Sequence, residues 1–306
     1  MKLDDLTPRL DPELAARFRQ FPKPSGPSDV ATKRAFLRQI AAQLRAEAPP
    51  LDDIAIEDRR AGDVPLRIYR RKQSRSDAAL VWIHGGGFLA GHHEDDDIAI
   101  APLLRVVDCT VVSVGYRLAP EHRAPAALDD AYAGLLWAAR ELRPRKLAIA
   151  GVSAGGCIAA GIALKARDEN GPRIAHQFLI IPVLDNRHAT PSMHEIADPR
   201  VWRRETSMEA WTMYASCGDV SPHIAPARAD DLSGLPPCYV EVAEMDSLRD
   251  EAIDYAQRLM QAGVPTELRV YPGAYHASTF FHPYAAVSQR ASADFAAAVG
   301  TSLSSR

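Results

Sequence analysis

The sequence has almost no charge bias. Its 36 basic and 39 acidic residues leave a formal net charge of -3 over 306 residues, and the two signs are interspersed, with no basic stripe of the kind that nucleic acid or anionic lipid requires. Neither is an expected partner. Cysteine is scarce: Cys109, Cys157, Cys217 and Cys238 lie far apart with no C-x-x-C pair, which argues against a zinc site, a redox motif and a disulfide framework. They read as reduced, mostly core thiols.

The N-terminal stretch MKLDDLTPRLDPEL interleaves charges with apolar residues and contains no apolar h-region, so no signal peptide is visible and a cytoplasmic location is the default expectation. Long uncharged runs are lacking too, apart from residues 147–164. That run is interrupted by Gly151, Gly155, Gly156 and Gly161, which fits a buried strand, a turn and a helix better than a membrane span. There is no G-x-x-x-x-G-K-[ST] phosphate loop, and HEIAD at 194–198 lacks the second histidine of H-E-x-x-H. Internal repeats and low-complexity tracts are absent as well.

What is present is apolar content, 47% of the chain, enough for one large core, so a single domain with an appendage is expected. Residues 11–47 read as amphipathic helix in two pieces around the prolines at 22, 24 and 27. Residues 54–60 and 65–71 alternate apolar and polar around AGDV, the pattern of a hairpin. Beyond it, apolar runs at 79–84, 110–116, 146–151, 178–184, 238–243 and 267–272 alternate with helical patterns at 95–108, 126–142, 154–168 and 249–262, and a helix at 284–299 closes the chain. Continuous apolar strands of this kind suit a mostly parallel sheet covered on both faces.

Residues 186–235 break the alternation. They carry Trp202, Met208, Trp211, Met213 and Tyr214, and Thr206 with Glu209 matches a capping box for a helix through the second tryptophan. An insertion of this composition is either a lid over a ligand site or an apolar patch buried on the body; the lid is the favoured reading.

Two motifs carry chemistry. Gly151, Ser153 and Gly155 satisfy G-x-S-x-G, with KLAIAG before and a helix-forming run after, the strand, sharp turn and helix that expose a nucleophilic serine. HGGGF at 84–88 follows a strand end, and its glycines leave bare amides free to face a developing oxyanion, each such donor contributing on the order of a hundredfold in rate. Ala154, the residue after the serine, supplies a further amide. His92 and His93 stand beside Glu94, Asp95, Asp96 and Asp97, and acids at a helix start read as solvated dipole partners before they read as metal ligands.

HGGGF, GYRLAPE at 115–121, GVSAGG at 151–156, MDSLRDE at 245–251 and VYPGAYH at 270–276 together resemble, in order and spacing, the hormone-sensitive-lipase-like branch of the α/β-hydrolases. The resemblance covers about residue 50 to the end. It implies an α/β-hydrolase fold with a mostly parallel eight-stranded sheet, helices on both faces and a helical cap made from residues 1–50 and an insertion at about 186–235. It matches the family acid to Asp246, with Glu244 and Asp250 as competitors, and the family histidine to His276, with His282 as its nearby rival. His84 would brace the oxyanion loop. Val152 stands where the family often has an acid, Ser247 where it usually has proline and Ala277 where glycine is common.

The expected chemistry is hydrolysis of short to medium acyl esters by Ser153, His276 and Asp246, with the amides of Gly86, Gly87 and Ala154 holding the oxyanion and Phe88, Trp202, Met208 and Trp211 lining the pocket. No metal or organic cofactor enters that scheme. An amidase, lactonase or deacetylase would use the same triad. The family's small-molecule receptors have lost the histidine that His276 matches here. ELRVYP at 267–272, as a possible sheet edge, suggests a homodimer.

Overall fold

Alternating burial along Ile54–Ala61 (β1) and Val64–Arg71 (β2) sets them as an antiparallel hairpin, Ala61 opposite Val64, at one edge of the sheet. The computed structural model describes residues 2–21, 29–215 and 218–304; Cys217 and the prolines at 22, 24 and 27 lie outside them. The next strands are buried on both faces: Ala78–Ile83 (β3), Thr110–Val114 (β4), Lys146–Val152 (β5), His176–Ile180 (β6) and Cys238–Met245 (β7), followed by Thr266–Tyr275 (β8) at the opposite edge. Among the described residues, the order is β1-β2-β4-β3-β5-β6-β7-β8, with β2 antiparallel to β1 and β4 and all other pairs parallel.

The order reverses around β3, so the crevice beyond the carboxyl ends of β3 and β5 is where this class of sheet gathers its ligand-binding loops. Helices cover both faces. Ala126–Trp137 (α4), Ala154–Asp168 (α5) and Arg249–Gln261 (α8) pack on one, where Leu128, Leu135, Ile158, Ile162, Tyr255 and Leu259 meet the sheet. Asp97–Val106 (α3) and Ala286–Leu303 (α10) pack on the other, where Phe295 meets Trp82, Phe178 and Tyr239, while Pro12–Phe18 (α1) lies by the end of β8, with Phe18 against Tyr275. Val30–Glu47 (α2) buries only Ala41 and lies outside both layers.

The long insertion between β6 and β7 holds Pro191–Glu195 (α6) and Arg204–Tyr214 (α7). It touches the N-terminal segment at several points: Leu3 bridges Ile196, the Leu6 amide donates to Asp198 (3.0 Å), and Lys33 of α2 pairs with Glu209 of α7 (2.7 Å). Helix α7 therefore starts two residues before Thr206, with Arg203 at its cap, and Glu209 reaches across to another helix instead of closing a capping box.

Three further boundaries differ from the sequence pattern. The run at 178–184 leaves the ladder after Ile180, because Ile181 turns to φ +42° and Pro182 has no N–H to donate. Helix α4 gives way at Ala138 to a wider π-turn through Leu142, closed by Arg143 at φ +46°. Strand β8 runs on to Tyr275, three residues past the apolar run, and so delivers the chain directly to His276. No described helix is long and apolar enough to cross a membrane.

Candidate active site

Ser153 joins β5 to α5 with φ +55° and ψ -115°, a region that costs a non-glycine residue on the order of 1–3 kcal/mol. The neighbouring backbone holds it there. Its amide donates to the Ile180 carbonyl (2.8 Å) and its carbonyl accepts from the Val183 amide (3.1 Å). The turn is tight enough that a Cβ on Gly151 would strike the Gly155 carbonyl, and one on Gly155 the Ile83 carbonyl. Ala154, as the first residue of α5, has an amide with no intrahelical acceptor.

The HGGGF loop follows β3 and lies alongside. Gly86 and Gly87 take φ +121° and +63°, and the Gly86 carbonyl accepts the amides of Leu89 (3.2 Å) and Ala90 (3.0 Å). That turn leaves the Gly86 and Gly87 amides without an acceptor among the described residues. His84 stacks on Tyr116 at 4.1 Å, its Nδ1 lies 2.8 Å from the Gly85 carbonyl, and the Tyr116 hydroxyl donates to the His84 carbonyl (2.9 Å). Burial pushes His84 down to about 3, so it braces the loop as a neutral ring.

His276 follows β8 and Asp246 follows β7. The Ser153 hydroxyl donates to His276 Nε2 (2.9 Å), and His276 Nδ1–H donates to Asp246 Oδ2 (2.7 Å). The second Asp246 oxygen accepts from the Leu248 amide (3.0 Å), which fixes the carboxylate. All three residues are buried. The competing acids are engaged elsewhere: Glu244 accepts from the Gly273 amide (2.8 Å), and Asp250 from the Ser192 amide (2.7 Å) and from Arg249 (2.8 Å). His282 packs on Phe21 and Tyr275 with both ring nitrogens buried and without a hydrogen-bond partner among the described residues.

The four pocket candidates part company. Trp202 stands at the site: a Cβ on Gly87 would meet its ring at 2.8 Å, and its ring centroid lies 5.9 Å from that of His276. Phe88 and Trp211 are fully buried against each other (5.2 Å), with Phe88 stacked on Tyr214 at 4.0 Å. Met208 is exposed on α7.

Near the carboxylates, His92, His93 and Glu94 gather their donor atoms within 4.8 Å of one another, while Glu94 is held by Arg67 (2.7 Å). Asp97 is buried and Asp96 half-buried. Asp96 accepts from the Trp82 indole (2.5 Å) and Asp97 from the Tyr69 hydroxyl.

One residue that the sequence pattern left unassigned is Glu251. Buried on α8, it accepts the amides of Leu184 (2.7 Å) and Asp185 (3.2 Å) and so ties the start of the insertion to the Asp246 loop. Burial, with Asp185 nearby, holds it well above the usual carboxylate range. Its signal in the sequence is a charge on the inward stripe that Ala252, Tyr255 and Leu259 define.

A family model described as alpha/beta hydrolase fold matches residues 80–280. The chain is 38% identical over 290 residues to the carboxylesterase NlhH of Mycobacterium tuberculosis, 88% of each chain being covered. It is 31% identical over 246 residues to an ethyl acetate hydrolase of Pseudomonas putida, covering 76% of this chain and 77% of that one. Among solved structures, a bacterial heroin esterase superposes with a TM-score of 0.92 at 40% identity, over 98% of this chain and 100% of the other. An esterase LipW from Mycobacterium marinum gives 0.86 at 36%, over 97% and 96%. With this fold, these motifs and these relatives, the chain belongs to the α/β-hydrolase family, in its hormone-sensitive-lipase-like branch.

Proposed function

We propose that the protein is a serine carboxylesterase acting on short to medium acyl esters through an acyl-enzyme. The observation that carries this reading is the unbroken relay from Ser153 Oγ through His276 to Asp246, at 2.9 and 2.7 Å, beside amides that lack acceptors.

His276 Nε2 takes the Ser153 proton as Oγ attacks the ester carbonyl carbon. The carbonyl electron pair moves onto oxygen, where the amides of Gly86, Gly87 and Ala154 receive it. Asp246 keeps Nδ1 protonated and stabilises the imidazolium. Collapse breaks the carbon–oxygen bond to the alcohol, which leaves with the proton from Nε2. Water then gives a proton to Nε2 while its oxygen attacks the acyl carbon, and the acid departs as Ser153 regains its hydrogen.

Replacing Ser153 with alanine is expected to lower kcat/KM on p-nitrophenyl acetate by a factor of about 10³ or more, and an organophosphate to label the native enzyme stoichiometrically at Ser153. A Ser153→Ala variant with most of the native activity overturns the reading, and faster turnover of a matched amide than of the ester replaces it with an amidase.

Residues 1–50 and about 186–235 form the cap in this reading, which the Leu3, Leu6 and Lys33 contacts to the insertion support. Strand β8 is the sheet edge and leaves Val270 exposed, which supports pairing of two copies across a two-fold axis. A monomeric mass by light scattering at micromolar concentration removes the dimer.

A further inference from the structure

The acid loop carries a hydroxyl that the reaction does not use. Ser247, directly after Asp246 and fully buried, donates through Oγ to the Trp202 carbonyl (3.0 Å), while its own carbonyl accepts from Ser192 Oγ (2.7 Å). Ser192 in turn accepts from the Asp250 amide (3.1 Å). Two pieces of the insertion are thereby fastened to the loop that holds the triad acid. The chain just before Trp202 is held as well: Arg200, nearly buried, binds Asp198 (2.5 Å) and Asp5 (2.7 Å) and lies over the Phe18 ring at 4.1 Å.

These contacts hold the backbone from which the indole projects. Its six-membered ring covers Gly87, and its plane flanks His276 at a 33° tilt. The leaving oxygen must face His276 Nε2 to receive a proton, so a group that adjoins both His276 and the oxyanion loop borders the alcohol half of the ester. Trp202 is only partly buried, yet its Nε1 is enclosed without a hydrogen-bond partner among the described residues.

We propose that Trp202 is a specificity-determining wall of the alcohol subsite, selecting esters of aromatic alcohols by stacking on the indole, and that Ser247 is the positioning residue that sets its place. The proposal rests on the serine-esterase reading above. Aromatic pairs gain in offset or edge-on geometries that a saturated ring of equal size cannot use. The expected substrates are esters of benzylic or phenolic alcohols.

The test compares kcat/KM for benzyl acetate and cyclohexylmethyl acetate, isosteric esters with similar leaving groups. The native enzyme is expected to prefer the benzyl ester, Trp202→Leu to lower that preference about three- to tenfold, and Trp202→Phe to retain it. Ser247→Ala is expected to lower it about two- to fourfold, mostly through KM for the benzyl ester, and Ser247→Thr to restore it. A Trp202→Leu enzyme with the native preference overturns the proposal, as does one in which only the benzyl acetate to benzyl hexanoate ratio moves, since that places the indole on the acyl side. Turnover of benzyl acetate by Ser153→Ala instead sinks the serine-esterase reading, so the two failures are told apart.

Discussion

Asp246 has one oxygen on His276 and the other on the Leu248 amide, so an asparagine there fits the space but loses the charge that steadies the imidazolium. Asp246→Asn is expected to lower turnover of p-nitrophenyl acetate by a factor of about 10³–10⁴, with an unchanged circular dichroism spectrum. Glu244→Gln and Asp250→Asn keep acceptors for Gly273 and Ser192 and are expected to stay within about tenfold of native turnover. Parity among the three variants would remove Asp246 from its role. Ser153 and His276, which the structure brings to 2.9 Å of each other, are singled out in the sequence because each sits at a motif position after a strand. For the acid the family resemblance points to Asp246, but Glu244 and Asp250 compete with it in the sequence, because chain order does not say which way a side chain points after β7. The bond from Ser247 to Trp202 had no signal at all, since it joins residues 45 apart. Val152 lies against the oxyanion loop: its Cγ1 would stand 3.7 Å from a Cβ on Gly85.

At the scale of elements, α7 is tied to the chemistry through one aromatic stack. Phe88 holds φ +65°, a conformation unusual for its type, and is enclosed by Trp211 and Tyr214 of α7. The insertion thus clamps the end of the loop whose Gly86 and Gly87 amides are free. Trp211→Ala is expected to destabilise the protein by about 3–5 kcal/mol. It is also expected to cut turnover per active site at least tenfold, counted by titration with an organophosphate so that unfolded enzyme does not contribute. Full turnover per titrated site would show that the stack does not position the loop. The insertion's composition favours a lid over a buried patch as the reading of these aromatics, and the structure divides them: Trp202 lies beside His276 and Gly87, Trp211 in the core. Strands β3 and β5 were readable from their apolar runs. The end of β6 was not, because the apolar run continues through Val183 and Leu184 after the ladder has stopped. The start of α7 is not readable from the sequence, because Thr206 and Glu209 have capping-box spacing while Glu209 pairs with Lys33 of α2 and the helix begins after Arg203.

Over the whole molecule, buried groups of opposite titration behaviour face each other across the acid range. Burial pushes His84 down to about 3 and His93, His176 and His282 to about 4. Each folded histidine refuses a proton that the unfolded chain accepts below 6.5, so this stability is complete above 6.5 and lost as pH falls towards 4. Glu241 behaves in the opposite sense. Buried on β7, with Asp294 nearby, it is pushed up to about 7 from 4.5, so its folded form keeps a proton that the unfolded chain releases. That stability is complete below 4.5 and lost as pH rises through 7. The two sets offset each other between about 4.5 and 6.5, and removing one member should tilt the balance in a direction its sign fixes. His282, buried near Arg17 with no hydrogen-bond partner among the described residues, is the simplest to remove: His282→Phe is expected to gain on the order of 2 kcal/mol on the native protein between pH 8 and pH 5. Glu241→Gln is expected to gain a similar amount in the opposite direction, from pH 5 to pH 8. Urea denaturation of the three proteins at both pH values measures the two tilts, and tilts of the same sign would show that one of these buried groups is not held in the charge state its surroundings demand.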